Sequence, residues 1–264
     1  MLGSGYFGTV YKAVWTAERR SINVAVKTFN LNTPKIQDEF KSECSSMRKL
    51  RHPCLVRLYG TCTKNKLMIV MEMLEKGDLK TYLETDNVNR TEVYQLLKFC
   101  YQISCGMAYL ESQGIAHRDL AARNILLDDE RNIKIADFGL SRMLLGGTYR
   151  GKSNIFPTKW TAIEYFEKKI YTMKCDVWSY GVLIWEIFSF GKEPYEELEG
   201  SAAIQNFLKN ENRLSKPEDC PDVIHRVVMK VCWMKDPDER PSFTDIKETL
   251  REHTERFYVN TTVA

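Results

Sequence analysis

The residues His117-Arg118-Asp119-Leu120-Ala121-Ala122-Arg123-Asn124, followed thirteen positions after Asn124 by Asp137-Phe138-Gly139, hold most of the chemistry legible in this sequence. They set a carboxylate, a guanidinium, a carboxamide and a second carboxylate at spacings suited to moving a phosphoryl group from a nucleotide. Such a transfer asks little covalent chemistry of a protein; it needs positioning and neutralisation of charge. Asp119 can accept a hydroxyl proton. Asn124 and Asp137 offer the hard oxygen ligands that Mg²⁺ prefers.

A nucleotide also needs a cradle, and the elements that would build one lie near the N-terminus. Gly3-Ser4-Gly5-Tyr6-Phe7-Gly8 is a GxGxxG run, a pattern that also marks dinucleotide-binding folds. Those folds require a helix directly after the glycines. Here Thr9 to Trp15 is rich in β-formers and has no helix cap, which predicts a glycine-rich hairpin between two strands. Its backbone N–H groups can approach phosphates with no Cβ in the way. A third strand over 23–27 delivers Lys27 nineteen residues after Gly8. A helix follows, with Asn32 or Thr33 as cap, Pro34 in the first turn, and Ile36, Phe40, Met47 and Leu50 at helical spacing. Glu43 shares the inward face of Phe40 and Met47, where a lone carboxylate is costly to bury, so Lys27 is its expected partner. Strand-like runs follow over 55–59 and 66–72.

Beyond Gly77 and Asp78 the pattern turns helical. Leu96, Cys100, Ile103, Met107 and Leu110 form an apolar stripe closed by Gly114. The segment 176–190 is apolar almost all round, which predicts a buried central helix with Asp176 at its N-cap. There is no internal repeat and no low-complexity linker.

Composition is compatible with this plan. The 264 residues are 44% hydrophobic and 28% charged, as in an ordinary globular chain large enough for one core or two unequal lobes. A net charge of +3 gives no reason to expect a nucleic acid or a membrane surface as partner. The longest apolar run, within 177–190, is broken by Ser179, Glu186 and Ser189 and is too short to span a bilayer; no signal peptide is visible. The eight cysteines are scattered without a CxxC pair, which predicts buried reduced thiols in a cytoplasmic setting and leaves the sequons at Asn89 and Asn260 without meaning.

Taken jointly and in order, the glycine loop, Val24-Ala25-Val26-Lys27, Glu43, His117-Arg118-Asp119, Asp137-Phe138-Gly139 and Asp176-Val177-Trp178-Ser179-Tyr180-Gly181 resemble a eukaryotic protein kinase domain from Gly3 to about Leu250. Ala121-Ala122-Arg123 resembles the tyrosine-kinase form of the catalytic loop; serine/threonine kinases usually carry lysine two residues after the aspartate. Phe156 to Ala162 resembles the tyrosine-kinase ledge that supports a substrate ring. Cys232-Trp233 and Asp236 to Pro241 fit the same group.

The resemblance implies an α+β bilobal fold. A small antiparallel β-sheet N-lobe with one helix (1–73) joins, through a hinge at about 72–77, a larger helical C-lobe (78–257) and a tail (258–264). It implies a single kinase domain that transfers the γ-phosphate of ATP to protein tyrosines. Lys27, held by Glu43, would contact the α- and β-phosphates. Asp119 would take the hydroxyl proton, with Arg123 steadying the transferring group. Asn124 and Asp137 would hold Mg²⁺. Leu2, Gly3, Ser4, Gly5 and Gly8 would cover the nucleotide. Val10, Ala25 and Leu126 would sandwich the adenine, and backbone groups of Glu72 and Leu74 would bond its edge. Met71 falls at the gatekeeper position, and Met47, Leu58, His117 and Phe138 would stack as a spine between the lobes.

Arg118, unpaired, would favour disorder around it. A phosphate on Tyr149, the one tyrosine between Asp137 and Glu164, would pair with Arg118 and Arg142 and order the loop. Tyr258-Val259-Asn260 resembles a docking site for phosphotyrosine-binding adaptors. Two features depart from the family. Ile163 replaces the proline of Ala-Pro-Glu, which should loosen the backbone and add an N–H in need of a partner, while Glu164 should still pair with Arg240. The first strand is truncated, as in an excised domain. A catalytically dead scaffold and a serine/threonine or small-molecule kinase are the alternatives. Dead versions lose the equivalents of Lys27, Asp119 or Asp137, all present here, and Ala121 with Arg123 argue against the second.

Overall fold

The β-formers of the first third pair into one antiparallel sheet. In a computed structural model describing residues 1–5, 8–17, 20–29, 33–64, 66–85, 93–150 and 156–262, β1 (Gly3–Gly5), β2 (Gly8–Ala17), β3 (Arg20–Thr28), β4 (Leu58–Cys62) and β5 (Met68–Glu72) lie in the order β1-β2-β3-β5-β4. Gly5 faces Gly8 and Val10 faces Lys27, so the glycine-rich segment is a hairpin, with Tyr6 and Phe7 outside the described residues. Gly8 has φ +156°, and a Cβ there would lie 2.0 Å from the Thr28 carbonyl oxygen. Only glycine lets the hairpin lie this close to β3.

The expected strand over 55–59 begins only at Leu58. The residues before it serve a different purpose: Leu55 bridges Ile135, and the Val56 N–H donates to the Ile135 carbonyl at 2.9 Å, tying the sheet to the second lobe. The run expected over 66–72 likewise starts late, at Met68.

Helix α1 (Pro34–Arg48) starts where proline suits a first turn, and Thr33 caps it by accepting from the Ile36 N–H at 3.4 Å. Asn32, the other candidate cap, lies outside the described residues. Phe40, Met47 and Leu50 are buried, with Glu43 among them.

The second lobe is mainly helical. Asp78 caps α2 (Leu79–Glu84). The apolar stripe of α3 (Val93–Ser112) is fully buried, and Gly114 beyond its end has φ +65°. Three short pairings then shape the connecting loops: β6 (Ile115–Ala116) and β7 (Ile125–Leu127) are matched by β9 (Arg142–Met143) and β8 (Ile133–Ile135), and β10 (Tyr149–Arg150) pairs across α4 (Ile163–Lys168) with β11 (Ile170–Tyr171).

Helix α5 (Met173–Phe188) is the buried centre of this lobe. Its N-cap is Thr172 where Asp176 was expected, so Asp176 lies inside the first turn and its carboxylate is free for another task. Around it lie α6 (Gly200–Lys209), α7 (Asp222–Ile224) and α8 (Lys230–Cys232), the last two joined by a π turn, and α9 (Phe243–Thr262), which packs along α3. Helix α9 carries the backbone through Tyr258 and Asn260, whose side chains are outside the described set, as is all of Asn89. No helix among the described residues is long and apolar enough to cross a membrane, and all eight cysteines are free thiols.

Candidate active site

Lys27 projects from β3 into the seam between the lobes, where it is 7% exposed. Its Nζ donates to both Glu43 oxygens, at 2.9 and 3.0 Å, and to Asp137 Oδ1 at 3.0 Å. Three residues far apart in sequence, from β3, α1 and the loop after β8, thus meet at one ammonium. Burial opposes charge on the lysine, but Asp137 and Glu43 outweigh it and hold the ammonium protonated well above the ordinary range. Burial likewise opposes ionisation of Asp137, yet Lys27 keeps that carboxyl below its usual value.

The loop that carries Asp119 hangs from Asp176. This carboxylate, fully buried, accepts from the His117 N–H at 2.7 Å, the Arg118 N–H at 2.9 Å and the Tyr171 hydroxyl at 2.7 Å. For two consecutive N–H groups to converge on it, Arg118 takes φ +69°, a conformation of real cost for a non-glycine residue. His117 accepts from the Asp119 N–H at Nδ1 and reaches the Ala136 carbonyl through Nε2, 2.9 Å away, which identifies the neutral tautomer protonated on Nε2. It thereby links the Asp119 loop to the Asp137 turn. Its ring meets buried Phe138 edge-on at 5.3 Å, and Met47 and Leu58 are buried in the same core, so all four spine positions are interior.

Within the loop, Asn124 Nδ2 donates to the Asp119 carbonyl at 2.7 Å, which turns its Oδ1 away as an available ligand. Arg123 Nη2 contacts Asp119 Oδ1, and the guanidinium lies 4.3 Å over the Trp160 ring. Asp137, with φ +57°, accepts from the Gly139 N–H at 3.2 Å through the same Oδ1 that faces Lys27. The donors at this end of the cleft are all oxygen, the set that suits a hard dication.

Val10, Ala25, Met71 and Leu126 are half-buried, and Leu74 is buried; Leu2 is 50% exposed. The Leu2 N–H donates to the Val10 carbonyl at 2.8 Å, extending the pairing of β1 toward the chain start. The Glu72 N–H donates to the Arg57 carbonyl at 2.9 Å, so that donor is already engaged.

Arg118 is not left without company, as its sequence position suggested. Its guanidinium sits 4.6 Å from the Tyr149 ring and 5.3 Å from the Tyr171 ring, and Nη1 donates to the Leu140 carbonyl, while buried Nε has no hydrogen-bond partner among the described residues. Arg142 is 5.9 Å from the same Tyr149 ring. The two arginines therefore already flank Tyr149.

Ile163 differs from expectation as well. It is the first residue of α4, where an N–H has no helical partner in any case, and its side chain is 7% exposed within the core. The replacement of proline therefore adds packing and no awkward donor. Glu164 accepts twice from Arg240, at 2.7 and 2.8 Å.

Two carboxylates went unrecognised in the sequence as anchors: Asp176 and Glu186, both buried on α5. The signal was there, since a carboxylate on a helix that is apolar all round must have a buried partner.

The sequence profile of the protein tyrosine and serine/threonine kinases matches residues 1–250. The chain is 40% identical over 251 residues, 94% of its length, to the tyrosine-protein kinase transforming protein Abl of Abelson murine leukemia virus, and covers 33% of that protein. It has the same identity and share to human tyrosine-protein kinase Srms, covering 50% of it. To human receptor tyrosine-protein kinase erbB-4 it is 40% identical over 93% of its own length and 19% of the relative's. The chain thus spans at most about half the length of these relatives.

Proposed function

The chain belongs to the protein tyrosine and serine/threonine kinase family, and from that membership we propose that it transfers the γ-phosphate of ATP to tyrosine hydroxyls of protein substrates. The observation that carries this reading is the single Lys27 ammonium within 3.0 Å of both Glu43 and Asp137. The arrangement holds an ammonium and a carboxylate side by side, the first suited to phosphate oxygens and the second to Mg²⁺.

In the proposed mechanism, Lys27 is aimed at the α- and β-phosphates by Glu43. Asn124 Oδ1 and the Asp137 carboxylate would hold Mg²⁺, which when bound neutralises phosphate charge. Asp119 takes the phenolic proton as the tyrosine oxygen bonds to the γ-phosphorus and the bond to the β–γ bridging oxygen breaks. Arg123, anchored on Trp160, steadies the transferring group, and the ledge after Phe156 supports the ring. The adenine would lie between Val10, Ala25 and Leu126 under Leu2, Gly3, Ser4, Gly5 and Gly8, with Met71 narrowing the space behind it and the backbone of Glu72 and Leu74 along its edge. Eight free thiols suit a cytoplasmic position. Tyr258 as an adaptor site rests on its three-residue motif alone.

Purified protein with Mg·ATP should phosphorylate a random polymer containing tyrosine and leave a serine polymer untouched. Transfer to serine alone would reverse the substrate assignment, and no transfer to either would favour a scaffold.

Tyr149 is the proposed control point. A phosphate there adds about −1.5 to −2 charge beside two guanidiniums, one whose Nε has no hydrogen-bond partner among the described residues. Preincubation with Mg·ATP should accelerate the wild type and fail to accelerate Tyr149→Phe, as followed by initial rates on the tyrosine polymer. Equal acceleration of both would remove Tyr149 from the scheme.

A further inference from the structure

We propose that Glu186 is a positioning residue for the transfer step, fastening the ledge to the catalytic loop so that Arg123 is held between Trp160 and Asp119. The inference rests on the phosphotransfer reading and adds to it a residue on the far side of the loop from the cleft.

Glu186 projects from α5 and is 1% exposed. One of its oxygens, Oε2, accepts from the Ala122 N–H at 3.0 Å and from the Trp160 indole N–H at 2.8 Å. Ala122 is the residue before Arg123, and the Arg123 guanidinium lies 4.3 Å over the Trp160 ring while touching Asp119. The contacts therefore close a ring: carboxylate to loop backbone, along one residue to Arg123, across to the indole face, and through the indole N–H back to the carboxylate. A guanidinium has a long flexible stem, and here two of its neighbours are fixed by one atom.

A carboxylate is an expensive way to fill an apolar helix face, since burying it costs far more than burying leucine unless its charge is used. The use visible here is polarisation. An anion accepting the indole N–H pushes electron density into the ring, and a richer ring face holds a guanidinium more firmly. Burial also lifts the Glu186 carboxyl to about 7. The charged groups facing it are Arg123 from the catalytic loop, Glu193 beyond α5, and Lys80 of α2. Lys80 and Lys159 of the ledge each pair with Glu193 at 3.1 Å, which leaves Arg123 as the cation nearest in function to Glu186.

The sign follows. Protonation, half complete near pH 7 and nearly complete about one unit below it, keeps the shape of the site but weakens the pull on the indole, so transfer should rise as pH climbs through that region. Because the folded carboxyl keeps its proton to about 7 while the free group loses it near 4.5, stability falls as pH rises from 4.5 to about 7 and stays at the lower level above that.

The test compares wild type, Glu186→Gln and Trp160→Phe from about pH 6 to about pH 8.5. In Glu186→Gln, kcat at the alkaline end should fall about ten-fold with KM for ATP and the melting temperature held or improved, and the part of the acid limb near 7 should disappear. The Trp160 indole N–H resonance, identified by its loss in Trp160→Phe, should move with pH in the wild type and stay fixed in Glu186→Gln. A wild-type resonance that does not move, or a glutamine variant whose kcat follows wild type at every pH, would overturn the inference. A moving resonance in a protein that phosphorylates no tyrosine would leave the Glu186 link standing and remove the phosphotransfer reading.

Discussion

Asp119→Asn should lower turnover on a tyrosine substrate by about 10²–10⁴-fold, the usual worth of a positioned proton acceptor. ATP should bind with an affinity changed by less than about two-fold, because the mutated group makes no contact with the nucleotide's expected anchors. The structure makes this a clean substitution. The bonds that shape the loop around Asp119 use its backbone: the N–H donates to His117 Nδ1 and the carbonyl accepts from Asn124 Nδ2 at 2.7 Å. Neither depends on the side chain. Asparagine also presents an Oδ1 to Arg123, so the guanidinium keeps its place over Trp160. Lost are the negative charge and the basic oxygen. Steady-state rates on a tyrosine polymer, beside nucleotide titration, separate the two quantities. A variant that turns over at wild-type rate would show that the proton leaves by another path.

The motif residues were legible in advance because their meaning lies in the side chain and in short spacing. Lys27 and Glu43 were legible for a different reason: a carboxylate on the inward face of a helix needs a cation, and the strand before the helix offers Lys27. Asp176 was read as a cap because any aspartate before an apolar run satisfies that local rule. Its two backbone donors, His117 and Arg118, lie 59 and 58 residues away, beyond the range of any local rule. Glu186 was noticed only as an interruption in an apolar run, and its partners are 64 and 26 residues distant. Leu55 was read as strand since an apolar alternation does not say which neighbour it will meet; the answer, Ile135, belongs to the other lobe. Ile163 looks like a loss from the local rule for proline alone, which says nothing of the packing that a buried isoleucine adds. Local chemistry is thus visible early, whereas anchoring by distant buried acids depends on the topology.

That dependence on distant buried pairs makes Glu164→Ala the second large effect. Arg240 has a side chain with no exposure at all, and Glu164 is 12% exposed. The guanidinium gives two parallel hydrogen bonds to Glu164, at 2.7 and 2.8 Å, while Nε and Nη1 also donate to the carbonyls of Met234 and Lys174, each at 2.9 Å, and the face lies 5.0 Å from the Trp178 ring. Removing the carboxylate strands a cation that cannot reach water, which costs about 3–5 kcal/mol. Urea unfolding should therefore show a lower midpoint at an unchanged slope. The pair also ties the start of α4, just beyond the ledge, to the turn before α9, so activity at moderate temperature should fall together with stability. A double variant, Glu164→Leu with Arg240→Met, removes both charges and should be less damaged than the single one, since the stranded cation is gone. It should not reach wild type, because the Met234 and Lys174 carbonyls lose their donor. If the single variant lost less than about 1 kcal/mol, the buried pair would have to be no more valuable than an exposed one, and the bidentate geometry would count for little.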